Sequence, residues 1–235
     1  MSRRIRLRAA AVGMAVTCAI GLAIGAHWLS RPDDAAFGKK VRSYILSHPE
    51  IIAEAAERLR IAPYQAAIET PFAGASAGNP NGDVTLVVFT DYNCPYCRAS
   101  SPEIDRLLAS DPQLRVVWRE MPVLGPDSEM AAAAALAAAR QGKYLAFHRA
   151  LFAGGHPDKD GVTAAARSAD IVPASLTAGA KAPEVQAEIR TNLTLARAMQ
   201  ITATPFFVIG HRTYEGAIGY SRLQQAVAAA RGDSD

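Results

Sequence analysis

Seven residues, Val84 to Thr90 (VTLVVFT), form a β-branched and almost continuously apolar run, and DYNCPYC follows them without a break. A strand with no polar alternation has both faces covered, so the chain must place layers above and below a sheet. The cysteine pair then falls where that strand turns into a helix. Pro95 suits the first helical position, where its missing N–H would have been unpaired anyway. A helix is predicted from Pro95 to Ala109, burying Ile104, Leu107 and Leu108. A second strand is expected over Leu114 to Glu120 (LRVVWRE). The Ala-rich stretch from Ser128 to Met199 reads as helical, with Val185, Ile189, Leu193 and Ala196 on one face. Phe206 to Gly210 and Arg212 to Gly216 read as a strand pair turning at Gly210-His211, and Leu223 to Arg231 as a closing helix. The order β, α, β, helical block, β, β, α defines an α/β sheet with an all-helical segment inserted at about 125–200.

Upstream of this domain, placed at 83–235, the chain carries three other segments. Residues 1–31 contain five arginines and no acid, and Ala9 to Ser30 contains no charged residue. A basic start before an apolar run reads as an export signal, either cleaved or retained as a single-pass inner-membrane anchor. The arginines keep the N-terminus cytoplasmic and send the rest across. Residues 32–70 read as a helical arm. Phe37, Val41, Tyr44 and Ile45 share one face, and Ile51, Ile52, Ala55 and Leu59 continue an apolar face. Ser47 with Glu50 three residues on resembles a capping box. Residues 71–82 (PFAGASAGNPNG) read as a linker. Without the five N-terminal arginines the chain has 20 basic and 22 acidic residues. That balance excludes a basic nucleic-acid footprint from the body of the protein.

Of the three cysteines, Cys18 lies inside the apolar N-terminal run, so export would carry only Cys94 and Cys97 to a compartment where disulfides persist. Zinc would need a second ligand pair, and the histidines (His27, His48, His148, His156, His211) are scattered. No metal and no dissociable cofactor are expected; the redox group is the Cys94–Cys97 disulfide itself. A helix N-terminus favours a thiolate at Cys94, the expected nucleophile, with Cys97 one turn later as the resolving thiol. A proline opening a buried strand, as Pro205 does, calls for a special backbone. A cis Thr204–Pro205 peptide would set Thr204 against the cysteine pair and offer main-chain hydrogen bonds to an extended substrate.

FTDYNCPYC, REMPVLGPDS, QGKYLAFHRALF and TPFFVIG together resemble the DsbA-like thiol–disulfide oxidoreductases of the bacterial envelope, over roughly Asp83 to Ala230. The arm VRSYILSHPEII resembles the ScsC-type and Com1-type branch. The resemblance implies a thioredoxin fold with an inserted helical domain, an active-site pair at Cys94 and Cys97, and substrate contacts at Pro95, Tyr96, Thr204 and Pro205. It implies a periplasmic location, cysteine-containing exported proteins as clients, and a membrane redox partner that resets the dithiol. Thr204 before the proline resembles the isomerase-like members. A homo-oligomer through residues 33–60 is expected from the apolar arm. Two other functions fit the same residues: a Cu(I)-binding copper-tolerance protein, as ScsC-type relatives are tied to copper tolerance, and a holdase or assembly factor working through the arm. The family's buried glutamate, six residues before the first cysteine, is replaced here by Val88, which puts the proton path in question; Asp91 is expected to cap the turn.

Overall fold

The computed structural model describes residues 34–232. The export signal and the alternative anchor fall on residues outside that range. Among the described residues, no helix is long and apolar enough to cross a membrane. The chain divides into two compact units, residues 1–53 and 54–235.

In the first unit, α1 spans Asp34–Ser47, and α2, which runs Glu50–Ile61, begins there. Phe37, Tyr44, Leu46 and Ile52 are exposed. The expected capping box at Ser47 does not form. Ser47 is the last residue of α1, and its hydroxyl donates back to the carbonyls of Ser43 and Tyr44 at 3.0 and 2.9 Å. A hydroxyl that reaches its own preceding turn is lost to the next helix.

The second unit is built on a five-stranded sheet of order β1-β3-β2-β4-β5. The strands are β1 Ser76–Gly78, β2 Val84–Thr90, β3 Leu114–Glu120, β4 Phe206–Ile209 and β5 Arg212–Glu215. Strands β2 and β3 run parallel, in register from Val84 opposite Leu114 to Thr90 opposite Glu120. The crossover between them is α4 (Pro95–Ser110), as a parallel pair requires. Strand β4 returns antiparallel to β2, and β5 pairs antiparallel with β4 through a two-residue turn. Gly210 takes φ of 59° there, a left-handed conformation suited to a hairpin turn.

Side chains alternate across the sheet, so two cores form. One holds Leu86, Val88, Val116, Trp118, Phe207 and Ile209 with Ile104 and Leu107 of α4, and includes both cysteines. The other holds Val87, Phe89, Val117, Phe206 and Val208 with Ile61, Ile68, Met199 and Ile201. Each such side chain, fully buried, stabilises by roughly 1.5–3 kcal/mol. The inserted helices are α5 Pro126–Ala139, α6 Tyr144–Ala153, α7 Lys159–Ser168, α8 Pro173–Ala180 and α9 Pro183–Ala198, and α10 (Tyr220–Gly232) closes the fold. In α5, nine consecutive residues from Ala131 to Ala139 are buried, since small side chains let neighbouring helices approach on all sides.

Two expected boundaries change. The stretch 71–82 is no linker: Ser76–Gly78 pair with Val117–Arg115 as an edge strand, and Ala75 is buried. Gly78 has φ of 84°, and a Cβ there would lie 2.2 Å from the Leu114 carbonyl oxygen, so the glycine that read as flexibility is a close-approach position. The second half of the arm also belongs with the sheet. After a short 3-10 turn at Ala62–Tyr64 comes α3 (Gln65–Glu69), and Ile61 and Ile68 are fully buried.

Arg119 fastens that segment. It is 3% exposed on the β3 face opposite the cysteines, and its guanidinium donates to the carbonyls of Ala67, Ile68 and Thr70 at the end of α3. It also meets Glu188 at 2.8 Å and Asn192 at 3.2 Å on α9. Truncating one partner of a buried ion pair costs about 3–5 kcal/mol because the other charge is left unpaired. Arg119→Ala is therefore expected to lower the urea-unfolding free energy by roughly that amount. A loss below about 1 kcal/mol would show that water replaces the guanidinium without penalty.

Candidate active site

The active-site turn is held by a single carboxylate. Asp91 accepts from its own turn at Asn93 N (2.8 Å), and from Val123 N (2.8 Å), Leu124 N (3.1 Å) and Ser128 Oγ (2.6 Å). It thereby ties the end of β2 to the loop that follows β3. The backbone closes the turn with Cys94 N donating to Asp91 O at 3.1 Å. Cys94 has extended backbone angles, and Pro95 opens α4 as the first helical residue.

Both cysteines carry free thiols. They are nearly equally covered, Cys94 at 5% and Cys97 at 3%, so exposure does not distinguish them. Their proton affinities do. Cys94 is lowered to about 5, first by the hydrogen bond from the Cys97 thiol, then by the Thr204 side chain and the N–H groups of Cys97 and Tyr96; burial opposes this. Cys97 is raised, first by burial and second by that same bond to Cys94. One thiol shares its proton with the other's thiolate, so the pair titrates as a unit.

The Thr204–Pro205 peptide is cis, and Cys94 Sγ lies 3.1 Å from the Thr204 carbonyl oxygen, to which it donates when protonated. The structure thus brings together Cys94, Cys97, Thr204 and Pro205. Pro95 and Tyr96 are exposed beside them, as are Val123 and Leu124 in the loop anchored by Asp91. Among the described residues, no group of three or more His, Cys, Asp or Glu side chains could hold a metal ion.

Two features went unread in the sequence. Arg98, directly after Cys97, donates to the carbonyls of Phe152, Gly154 and Gly155 and lies over the Phe152 ring at 5.8 Å. It fastens α4 to the end of α6. The second is Glu120, fully buried at the end of β3. Its Oε1 accepts from Tyr92 Oη at 3.1 Å and Tyr144 Oη at 2.7 Å, while Oε2 has no partner. Tyr92 Oη also meets His148 Nδ1 at 2.8 Å. Tyr92 has one proton, and giving it to Glu120 makes His148 Nδ1–H the donor to the Tyr92 oxygen. Burial holds His148 neutral, down to about 3. The readable signal was strand alternation: Val116, Trp118 and Glu120 share one face, and that face is core.

A strand-to-helix cysteine pair facing a cis-proline loop on this five-stranded sheet gives the chain a thioredoxin-like fold. A DsbA-like thioredoxin domain matches residues 85–228, and the N-terminal domain of the copper resistance protein ScsC matches residues 33–62. The chain belongs to the DsbA-like thiol–disulfide oxidoreductase family. A thioredoxin-like oxidoreductase from Silicibacter pomeroyi is 42% identical with a TM-score of 0.68, covering 71% of this chain and 96% of its own. The catalytic domain of Proteus mirabilis ScsC is 27% identical with a TM-score of 0.67, covering 74% and 98%. The Na(+)/H(+) antiporter NhaA 3 of Salinispora tropica is 31% identical over 65% of this chain and 24% of the antiporter. The chain therefore spans about a quarter of the length of the curated relatives it matches.

The thiol chemistry is open to direct test. Alkylation of Cys94 is expected to rise with pH through about 5 and to be flat by neutrality, because only the thiolate reacts. Removing the chief hydrogen-bond donor in Cys97→Ala should move that inflection upward by about one unit or more. An unmoved inflection would show that the helix terminus, not Cys97, stabilises the thiolate.

Proposed function

We propose that this chain is a periplasmic thiol–disulfide oxidoreductase that forms, reduces or isomerises disulfides in exported, cysteine-containing proteins. The observation that carries the reading is the unequal pair: an easily ionised Cys94 against the cis-proline loop, with a protonated Cys97 buried beside it. In the oxidising direction, a client thiolate attacks Cys94 Sγ, the Cys94–Cys97 bond breaks, and Cys97 takes up the electron pair and a proton. A second client thiolate then attacks the client sulfur of the mixed disulfide and releases the Cys94 thiolate. In the reducing direction, the Cys94 thiolate attacks a client disulfide, whose S–S bond breaks to release one client thiolate and leave a mixed disulfide. Cys97 then loses its proton and attacks Cys94 Sγ, forming the Cys94–Cys97 bond and releasing the second client thiolate. A membrane-bound dithiol or disulfide partner resets the pair.

The lowered Cys94 stabilises the reduced form and so favours giving a disulfide away. Clients are expected to lie extended along Thr204 and Pro205, with exposed Pro95 and Tyr96 on the other side. Cys97→Ser should accumulate mixed disulfides between Cys94 and client proteins, visible on non-reducing gels and lost in Cys94→Ser. Equal trapping through Cys97 in the Cys94 variant would reverse the roles.

The match to the ScsC N-terminal domain and the exposed apolar residues of α1 support an oligomer formed through the arm. A large apolar surface open to water marks an interaction site. Several dithiols on one assembly would hold a misfolded client while one attacks, which suits isomerisation. The full chain should sediment as an oligomer and Phe37→Glu with Leu46→Glu as a monomer that reshuffles scrambled disulfides less well. If the double variant sediments and reshuffles as the parent does, the arm is not the oligomer contact. The Cu(I) reading draws on the two adjacent soft thiols and the ScsC match. Copper titration set against thiol-exchange rates separates it from the redox reading.

A further inference from the structure

Glu120 is a buried acid that the thiol chemistry described above does not use. Its place in the sheet is what connects it to the dithiol. It stands opposite Thr90 at the last rung of the parallel β2–β3 ladder, and residues opposite each other there project to the same face. That face is the core containing Cys94, Cys97, Val88 and Trp118. Its neighbour Arg119 projects to the other face, so no cation adjacent in sequence neutralises it. The carboxyl reaches the active-site turn through Tyr92, two residues before Cys94, whose hydroxyl bonds Glu120. Cys97 lies within electrostatic reach of that hydroxyl and is among the causes that raise it, behind burial and Glu120. Thr90, across the ladder from Glu120, offers its hydroxyl to Cys97.

We propose that Glu120 is a buried positioning residue whose charge state sets how the Cys94–Cys97 couple responds to pH. The inference rests on the redox reading of that pair. The titratable groups that face Glu120 are Tyr92 and Asp91 from the turn and Tyr144 from α6, with His148 of α6 behind Tyr92 and Cys97 reached through Tyr92. None of these is a cation at neutral pH, since His148 is held neutral. Burial raises Glu120 to about 8 against the pull of the Tyr144 and Tyr92 hydrogen bonds, and Asp91 adds to the rise. Glu120 is thus protonated at neutral pH and ionises above it.

The sign of the effect follows. The disulfide form carries no charge on sulfur, whereas the reduced form carries the Cys94 thiolate. Like charges in an apolar region oppose each other. Ionising Glu120 therefore costs more in the reduced protein than in the oxidised one, and the reduced form loses stability as pH rises through about 8. Below that, the neutral carboxyl leaves the thiolate undisturbed.

The test is the equilibrium of the full chain with glutathione, followed from acidic to alkaline pH in the parent and in Glu120→Gln. Glutamine keeps an oxygen for both phenols and cannot ionise. The two curves should hold a constant offset below neutrality and diverge above pH 8, with the parent less oxidising. Half a pKa unit of coupling amounts to about threefold in that equilibrium constant. Tyr144→Phe removes a donor that favours the ionised carboxyl, so its divergence should begin at higher pH than the parent's. Curves that stay parallel throughout, in a protein that does exchange with glutathione, overturn the role of Glu120 alone. Absence of any exchange overturns the redox reading and the inference with it. If Glu120→Gln does not fold, a Tyr144→Phe curve that coincides with the parent's at every pH is sufficient to overturn it.

Discussion

The parallel pairing of β2 with β3 is the constraint on which everything else rests. Seven consecutive rungs fix which side chains face the dithiol and which face the arm. A slip of one residue would exchange the two faces, sending Arg119 toward the cysteines and Glu120 toward α3. Both residues are ionisable and buried, so the wrong register would strand each of them away from its partners. The continuous apolar sequence of β2 is indifferent to such a slip, because Val87 and Val88 serve either core. The specificity of register therefore comes from the polar end of β3 and from the groups waiting for it: three carbonyls and Glu188 on one side, two phenols on the other.

The cysteine pair inherits its geometry from this arrangement. Asp91 follows directly on the last residue of β2 and gathers four donors, which locks the turn to the loop after β3. Arg98 fastens the other end of the motif to the terminus of α6. Between those two anchors the cysteines differ in proton affinity although they are almost equally covered. Their difference is made by depth and by hydrogen-bond direction. Cys97 donates to Cys94, the first N–H groups of α4 point at Cys94, and Cys97 lies deeper in apolar surroundings.

Much of this was legible in the residues. The buried strand, the two cysteines at its end, the hairpin at Gly210-His211 and the inserted helices each follow from local pattern, and so does the placing of Cys94 against Thr204 beside a cis Pro205. Most of the misses trace to partners distant in sequence, and one to a competing local bond. Ser76–Gly78 carries no alternation because its pairing is backbone to backbone against β3, and Gly78 is there to let that backbone come close. Ser47 matched a capping pattern that its bond to the preceding turn overrode. Glu120 and Arg98 act through partners 24 or more positions away in sequence, which no local window contains. Asp91 was read as a turn cap, and its carboxylate does hold the turn, but three of its four donors come from beyond it.

The sheet ends on one side in a three-residue strand and on the other in a four-residue one. Extended chains add readily to any long unpaired strand edge. With β1 held to three residues and closed by a glycine in a left-handed conformation, little ladder is left for a stray peptide to extend. Neither rim of the sheet therefore offers an extended chain more than a few rungs on which to accumulate.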